Sequence, residues 1–106
     1  MARSAFDLIY DSAVHRHLAA IERKHHGLIR REIEKGLRHE PDVETQNRKP
    51  LLRPSALESV YELRFGPENK YRVFYKIEHD LNRVYILSIG VKDREKLKVG
   101  WEVIEL

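Results

Sequence analysis

The chain has no cysteine among its 106 residues. Disulfide bonds, cysteine-based metal centres and thiol redox chemistry are therefore excluded, and a reducing compartment is compatible with the composition. No apolar run approaches the roughly 20 residues that cross a bilayer. The first residues also lack the basic-then-apolar pattern of a signal peptide. We therefore expect a cytoplasmic protein with no membrane partner.

The charge is small in total but unevenly distributed. One domain is expected over residues 1–106, because a chain of this length builds a single core. The net charge is +3, yet residues 48–98 hold 12 basic and 7 acidic side chains, whereas residues 1–47 hold 8 of each. This excess favours a polyanionic partner, either a nucleic acid or an acidic peptide. The alternative is an ordinary solvated surface of Lys and Arg.

Three runs rich in β-branched and aromatic residues dominate the second half of the chain. They are Val60–Phe65, Tyr71–Glu78 and Arg83–Val91, and the segments between them carry Gly, Pro, Asn and Asp. Strand formers bounded by turn formers predict an antiparallel meander. The third run is apolar almost throughout, which is typical of a central strand covered on both sides.

The first half of the chain predicts one strand and a helical hairpin. Phe6–Tyr10 alternates like a short strand. Two apolar stripes at helical spacing follow, Val14, Leu18 and Ile21 in the first and Ile29, Ile33 and Leu37 in the second. Residues 13–39 therefore predict two helices, with Gly27 at the connection between them.

The remaining segments complete an α+β domain. Asp42–Pro54 has no periodicity and contains two prolines, which predicts a long loop. Glu95–Leu106 alternates apolar residues and predicts one further strand. The expected fold is an N-terminal strand, a helical hairpin and an antiparallel β-meander of three to four strands, with the helices on one face.

The alternation along the strands places cations on the other face of the meander. Glu62 and Arg64 share a face of the first run, and Arg72 belongs to the same face of the second, so the two arginines are expected side by side. Lys92 follows the third run. Guanidinium groups bind phosphate oxygens bidentately, so this face predicts a cradle for a phosphate backbone. The alternative is a solvated face with salt bridges, including a Glu62–Arg72 pair across the hairpin.

Other basic and aromatic residues extend the predicted RNA-binding surface. Aromatic side chains beside cations stack on single-stranded bases, although such residues are more often part of a core. The predicted RNA-binding residues are Arg48, Lys49, Arg53, Lys76, Arg94 and Trp101. Of the aromatic residues, Trp101 is the one most expected to be exposed.

The histidines do not form a metal motif. His15 and His17 are two positions apart, and His25 and His26 are adjacent, whereas a helical zinc pair needs a spacing of four. No metal site and no cofactor are therefore expected. We interpret these histidines as helix-surface or helix-end residues.

Four short motifs and the order of elements resemble the RelE/ParE superfamily, the toxins of bacterial and archaeal type II toxin–antitoxin modules. The motifs are N-R-K-P-L at Asn47–Leu51, Y-E-L-R at Tyr61–Arg64, Y-R-V-F-Y at Tyr71–Tyr75 and I-G-V-K at Ile89–Lys92. The resemblance covers essentially the whole chain and implies a small cytoplasmic toxin held inactive by a cognate antitoxin. RelE-like members cleave messenger RNA in the ribosomal A site without a metal ion.

The resemblance also implies catalytic residues. Arg72 matches the arginine of the Y-R-V-x-Y motif, Arg64 a basic residue of the preceding strand, and Lys92 a basic residue after the strand-ending glycine. Metal-free cleavage needs a base, an acid and stabilisation of charge on the phosphate. Glu62 is the strand carboxylate best placed to act as the base, and His79 is a weaker candidate. Lys92 adds charge or acts as the acid.

Two departures from the RelE pattern keep other functions open. Glu62 stands where RelE proteins have a second lysine, and no tyrosine follows Lys92, although RelE proteins have a catalytic tyrosine near the C-terminus. One alternative is a ParE-like inhibitor of DNA gyrase without catalytic residues. Another is a non-toxic nucleic-acid-binding domain or an inactive toxin.

Overall fold

The structure is a computed structural model that describes residues 5–51 and 60–105. In these ranges the chain begins with strand β1 (Asp7–Tyr10), helix α1 (Ala13–Ala19) and helix α2 (His26–Leu37). Six strands follow: β2 (Arg48–Pro50), β3 (Tyr61–Phe65), β4 (Tyr71–Glu78), β5 (Arg83–Asp93), β6 (Lys96–Val99) and β7 (Glu102–Glu105). The α+β class predicted from the sequence is confirmed. No helix in the described part is long and apolar enough to cross a bilayer.

The seven described strands form one sheet with β5 at its centre. β2, β3, β4, β5, β6 and β7 follow one another in that order and pair antiparallel. β1 pairs in parallel with the first half of β5, from Asp7 opposite Arg83 to Tyr10 opposite Ile86. Because β4 occupies the other edge of β5, β1 and β6 lie end to end along the same edge. The central position that the apolar run predicted for β5 is confirmed.

The two helices cover one face of this sheet. The α2 residues Ile29, Ile33 and Leu37 are buried, and they pack in one cluster with the sheet residues Val73, Tyr75, Val84, Ile86 and Ile89. The Tyr75 hydroxyl donates a hydrogen bond of 2.7 Å to the Pro41 carbonyl oxygen, and burial raises the pKa of this phenol. The segment after α2 is thereby tied to the sheet.

Three predicted boundaries differ from the structure. The sequence predicts a connection at Gly27, but this residue lies inside α2, and a 3₁₀ turn at Arg23–His25 joins the helices. Within the predicted loop Asp42–Pro54, residues 48–50 form β2, an edge strand, where a proline is tolerated. Within the predicted single strand of residues 95–106, the described residues 96–105 form a hairpin, because the chain reverses at Gly100, which has a left-handed φ of 64°; residue 106 lies outside the described residues. The meander therefore has five strands, β3–β7.

A histidine fills the gap between β1 and β6 along the edge of β5. The Ile89 N–H, which faces this gap, donates to Nδ1 of His17 at 3.2 Å. The imidazole is buried and accepts this bond only when it is neutral, with its proton on Nε2. Burial, reinforced by the charge of Arg16, lowers the pKa of His17. Of the two interpretations offered for this histidine, the helix-surface position is therefore wrong, whereas the helix-end position is confirmed, because His17 lies in the last turn of α1.

The lowered pKa of His17 predicts a loss of stability in acid. Above about pH 6.5 the imidazole is neutral in both the folded and the unfolded chain. Below that pH the unfolded chain takes up the proton first, so the free energy of unfolding falls as the pH drops. Urea unfolding at several pH values between 7.5 and 5 measures this fall. We expect His17→Gln, which keeps an acceptor, to weaken the dependence, and His15→Gln, at an exposed neighbour, to leave it unchanged. Equal pH dependence in the wild type and His17→Gln would contradict the assignment.

Candidate nucleic-acid interface

A tight turn between β3 and β4 brings two arginines together. Arg64 lies directly opposite Arg72 in the pairing of these strands. Gly66 has a φ of 82°, and a Cβ at this position would lie 2.5 Å from the Tyr71 ring, so both the backbone and the space require glycine. The Nε of Arg72 donates to the carbonyl oxygen of Asn69 in the same turn, at 2.9 Å. The turn thus positions one guanidinium directly.

A buried carboxylate lies between the two guanidinium groups. Glu62 Oε1 is 2.6 Å from Nε of Arg64, and Glu62 Oε2 is 3.5 Å from Nη1 of Arg72. Glu62 and Arg72 are 7% and 6% exposed, whereas the side chain of Arg64 is 42% exposed. The ion pair between Glu62 and Arg72, which the sequence offered as the structural alternative, is therefore present, and Arg64 is the guanidinium that reaches solvent.

These residues line a groove on the face of the sheet away from the helices. The groove has a volume of about 550 Å³, and Glu62, Arg64, Arg72 and Lys92 all contribute to it. The rest of its lining is mainly apolar: Leu51, Val60, Phe74, Leu87, Ser88, Leu97, Val99 and Ile104. We call it the open-face groove. The four residues predicted to be catalytic thus line one groove, together with apolar side chains.

A β-bulge in β5 decides which of its side chains reach the groove. Phe74 pairs with Ser88, but Tyr75 pairs with Ile86, which leaves Leu87 without a partner on β4. An extra residue shifts the alternation by one position. Both Leu87 and Ser88 consequently line the open-face groove. This bulge could not be predicted from the sequence, because an uninterrupted apolar run has no alternation to break.

None of the predicted RNA-binding residues in the described ranges lines the open-face groove. Arg48 donates to two carbonyl oxygens, that of Val43 at 2.6 Å and that of Gly36 at 2.5 Å, and so has a structural role. Lys49 is exposed on β2, opposite Glu62, and opposite residues of paired strands point to the same face. Lys49 therefore borders the groove side of the sheet.

Four predicted residues lie elsewhere or outside the described ranges. Lys76 Nζ is 5.5 Å from the centre of the Tyr85 ring. Arg94 is exposed in the turn between β5 and β6, with a φ of 59°. Trp101 is exposed at the turn of the β6–β7 hairpin, in a different groove. Arg53 lies outside the described residues.

The histidines and carboxylates do not assemble a metal centre in the described part of the chain, where no group of three such side chains is suitably placed. His79, the weaker candidate base, lies at the β4–β5 turn, and its Nε2 is 3.3 Å from a carboxylate oxygen of Asp42. It does not line the open-face groove. Among the described residues, the polar groups that line that groove are two guanidinium groups, one ammonium group, one carboxylate and the hydroxyl of Ser88.

Comparison of the chain with protein-family models, with curated proteins and with solved structures gave no match. The relation to the RelE/ParE superfamily therefore stays a prediction that depends on the sequence motifs.

The buried ion pair predicts that removing Glu62 destabilises the fold more than removing Arg64. Glu62→Ala leaves the Arg72 guanidinium buried without its carboxylate, which costs about 3 kcal/mol. Arg64→Ala removes a partly exposed partner and is expected to cost about 0.5 kcal/mol. Urea unfolding measures both values. Glu22→Ala, which removes an exposed pair with Lys24, is the matched control. A loss for Glu62→Ala no larger than that for Glu22→Ala would contradict a structural role for the pair.

Proposed function

We propose that this chain is a metal-independent endoribonuclease, the toxin of a type II toxin–antitoxin module, which cleaves translated messenger RNA at the ribosome. One observation supports the proposal above the others. Arg64, Arg72 and Lys92, which the resemblance to RelE proteins selected, come from three strands, and all of them line the open-face groove together with Glu62, the candidate base. Side chains scattered over the surface would have no common substrate.

The proposed reaction is an in-line attack of the 2′-hydroxyl on the adjacent phosphate. The 2′-oxygen–phosphorus bond forms, the bond from phosphorus to the 5′-oxygen breaks, and a 2′,3′-cyclic phosphate and a 5′-hydroxyl result. The 2′-hydroxyl loses a proton to a base, and the leaving 5′-oxygen gains one from an acid. Lys92 is the proposed acid. The N–H groups of Arg64 and Arg72 that do not contact Glu62 bind the phosphate oxygens, where negative charge develops.

Glu62 has two roles in this proposal. As the one carboxylate among the described residues that line the groove, it is the proposed base for the 2′-hydroxyl. Its oxygens also hold both guanidinium groups, so that it competes with an incoming phosphate for the same donors. The role as a base raises the cleavage rate, whereas the competition with phosphate lowers the affinity for RNA. A single substitution of Glu62 therefore distinguishes the two roles.

A cognate antitoxin is the proposed protein partner. The open-face groove combines cations with apolar side chains, which suits an amphipathic, acidic segment that covers the groove and keeps RNA out. The β7 strand at the end of the sheet offers a free edge in the described part of the chain, to which an extended segment can pair.

Arg72→Lys is expected to reduce cleavage about 100-fold, because an ammonium group keeps the charge but cannot bind two phosphate oxygens in the fork geometry. The measurement is a short pulse of expression in a bacterial host, followed by mapping of new 5′ ends on translated messages. New ends inside reading frames are expected for the wild type and for the control Arg31→Ala on α2. They are expected to disappear for Arg72→Lys, whose thermal unfolding verifies that it is folded.

Two results of that experiment would contradict the endoribonuclease, and a third would contradict only the role of Arg72. Growth arrest with intact messages and an induced DNA-damage response would indicate the ParE-like inhibition of gyrase. A folded Arg72→Lys variant with undiminished cleavage would exclude Arg72 from the site. No effect on growth or messages would leave a nucleic-acid-binding domain or an inactive toxin.

Glu62→Gln is expected to slow cleavage about 100-fold through loss of the base while tightening the binding of uncleavable RNA. Loss of the competing carboxylate adds one effective phosphate contact, which steepens the dependence of log affinity on log salt by about 0.7. Single-turnover cleavage gives the rate, and a 2′-O-methyl oligonucleotide gives the affinity. Glu78→Gln, which removes an exposed charge at the end of β4, is the control. An unchanged cleavage rate would exclude Glu62 as the base, and an unchanged affinity would exclude competition between its carboxylate and the phosphate.

A further inference from the structure

A second groove lies on the helix side of the sheet, where the helices leave β6 and β7 uncovered. Its volume is about 480 Å³. Lys98 and Trp101 from the β6–β7 hairpin, His25 from the 3₁₀ turn, and Lys70 and Tyr71 from the start of β4 are among its lining residues. We call it the helix-side groove. None of these side chains belongs to the open-face groove.

Trp101 presents a large aromatic surface from a fixed position. Its side chain is 79% exposed, more than any other large hydrophobic residue in the described ranges. The preceding Gly100 has a left-handed φ of 64° and packs against α1, so that a Cβ there would lie 3.2 Å from the His17 ring. The turn is thus held against a buried part of the fold. An indole held in this way contributes little to the core and is available to a ligand.

Two lysines and one glutamate are among the described residues that line this groove, and the exposed Glu102 follows Trp101 in the chain. Lys70 and Lys98 both line the groove, and Nζ of Lys70 is 5.2 Å from the centre of the Tyr71 ring. The carboxylate of the lining residue Glu22 is 3.5 Å from the ammonium group of Lys24. Cations around an exposed aromatic ring form the arrangement that binds single-stranded nucleic acid, in which bases stack and phosphates contact the cations.

The two grooves reach the same end of the sheet. The backbone N–H of Lys92, whose side chain lines the open-face groove, donates to the carbonyl oxygen of Lys70 at 2.7 Å. Lys70 in turn lines the helix-side groove. One flexible polyanion that leaves the first groove at Lys92 therefore meets a cation at the rim of the second. A double helix is too stiff for this path.

We propose that the helix-side groove binds the flank of a single-stranded RNA, with one base stacked on Trp101 and the neighbouring phosphates at Lys98 and Lys70. This inference depends on the proposed function only in taking RNA as the ligand. RNA fits better than an acidic amphipathic helix, because such a helix needs an apolar stripe that runs without interruption. Here Lys98 and His25 interrupt the apolar lining, and the dominant feature is a single exposed ring.

The sole tryptophan of the chain reports directly on this site. An uncleavable 2′-O-methyl octanucleotide is titrated into the intact protein while tryptophan fluorescence and the anisotropy of a label on the oligonucleotide are followed. We expect saturable quenching of the tryptophan that coincides with the rise in anisotropy. Trp101→Leu is expected to weaken binding about tenfold, as for the loss of one stacked base. Lys98→Ala is expected to lower the slope of log affinity against log salt by about 0.7.

Two control variants test whether the loss of any exposed apolar side chain or of any positive charge would weaken binding. Leu81→Ala changes another exposed hydrophobic residue, at the β4–β5 turn, and Lys35→Ala removes an exposed charge from α2. Both are expected to bind like the wild type. Thermal unfolding of each variant verifies that it is folded. The quenching of Trp101 fluorescence is measured on the wild-type protein, so that this result does not depend on the folding of any variant.

Three results would overturn the helix-side site. If the anisotropy rises without quenching of the tryptophan, the RNA binds at a different site. If neither signal changes, the protein does not bind single-stranded RNA. Quenching by a glutamate-rich amphipathic peptide but not by RNA makes the groove a protein-docking surface. Cleavage assays on the same protein separate this inference from the proposed function. Cleavage without quenching would support the endoribonuclease and contradict the helix-side site. Quenching without cleavage would support the helix-side site and contradict the endoribonuclease.

Discussion

One extra residue in the central strand divides this fold into a core and a groove. Up to the bulge at Leu87, the even-numbered residues of β5 face the helices, as Val84 does. After it, the odd-numbered residues do, as Ile89 does. Without the extra residue, Lys92 would point into the apolar cluster and Ile89 out of it, and either placement is costly. The single irregularity of β5 therefore lets the same strand complete the core and contribute a cation to the opposite face.

The ion pairs of the open-face groove stabilise the fold, but in the proposed enzyme they lower the affinity for RNA. Arg72 is too buried to be left alone, and Glu62 offsets its charge while fixing the direction of its guanidinium group. The same carboxylate draws on donors that a phosphate needs. In the proposed enzyme, RNA must therefore bind to N–H groups that point outward, and Arg64, the more exposed of the two arginines, makes the first contact.

The sequence predicted those parts of the site that follow from local rules. Alternation along β3 and β4 and the glycine of their turn were enough to place Arg64 beside Arg72, and the register confirms this. The face on which Lys92 lies was not predictable, because it depends on a bulge inside an apolar run. The hairpin at Gly100 had a signal in the glycine itself, but the alternation on both sides of it also fitted one continuous strand.

Long-range pairing was the other limit of sequence reasoning. The parallel alignment of β1 with β5 and the gap that His17 fills are properties of three elements at once. The helical stripe predicted α1 but could not show that a strand N–H, remote in sequence, would lack a partner in the sheet. His17 is therefore buried because an N–H group at the edge of β5 needs an acceptor, and the sequence of the helix that carries His17 does not show this.

The parallel pairing of β1 also determines when during synthesis the fold can close. β1 and His17 leave the ribosome well before their partners, which are Arg83–Ile86 and the Ile89 N–H. Contacts between such distant segments form late and slowly, and a chain stopped before β5 has no central strand around which to assemble. An incomplete product therefore lacks both the core and the open-face groove. In the proposed toxin, activity can begin only after β5 has been synthesised.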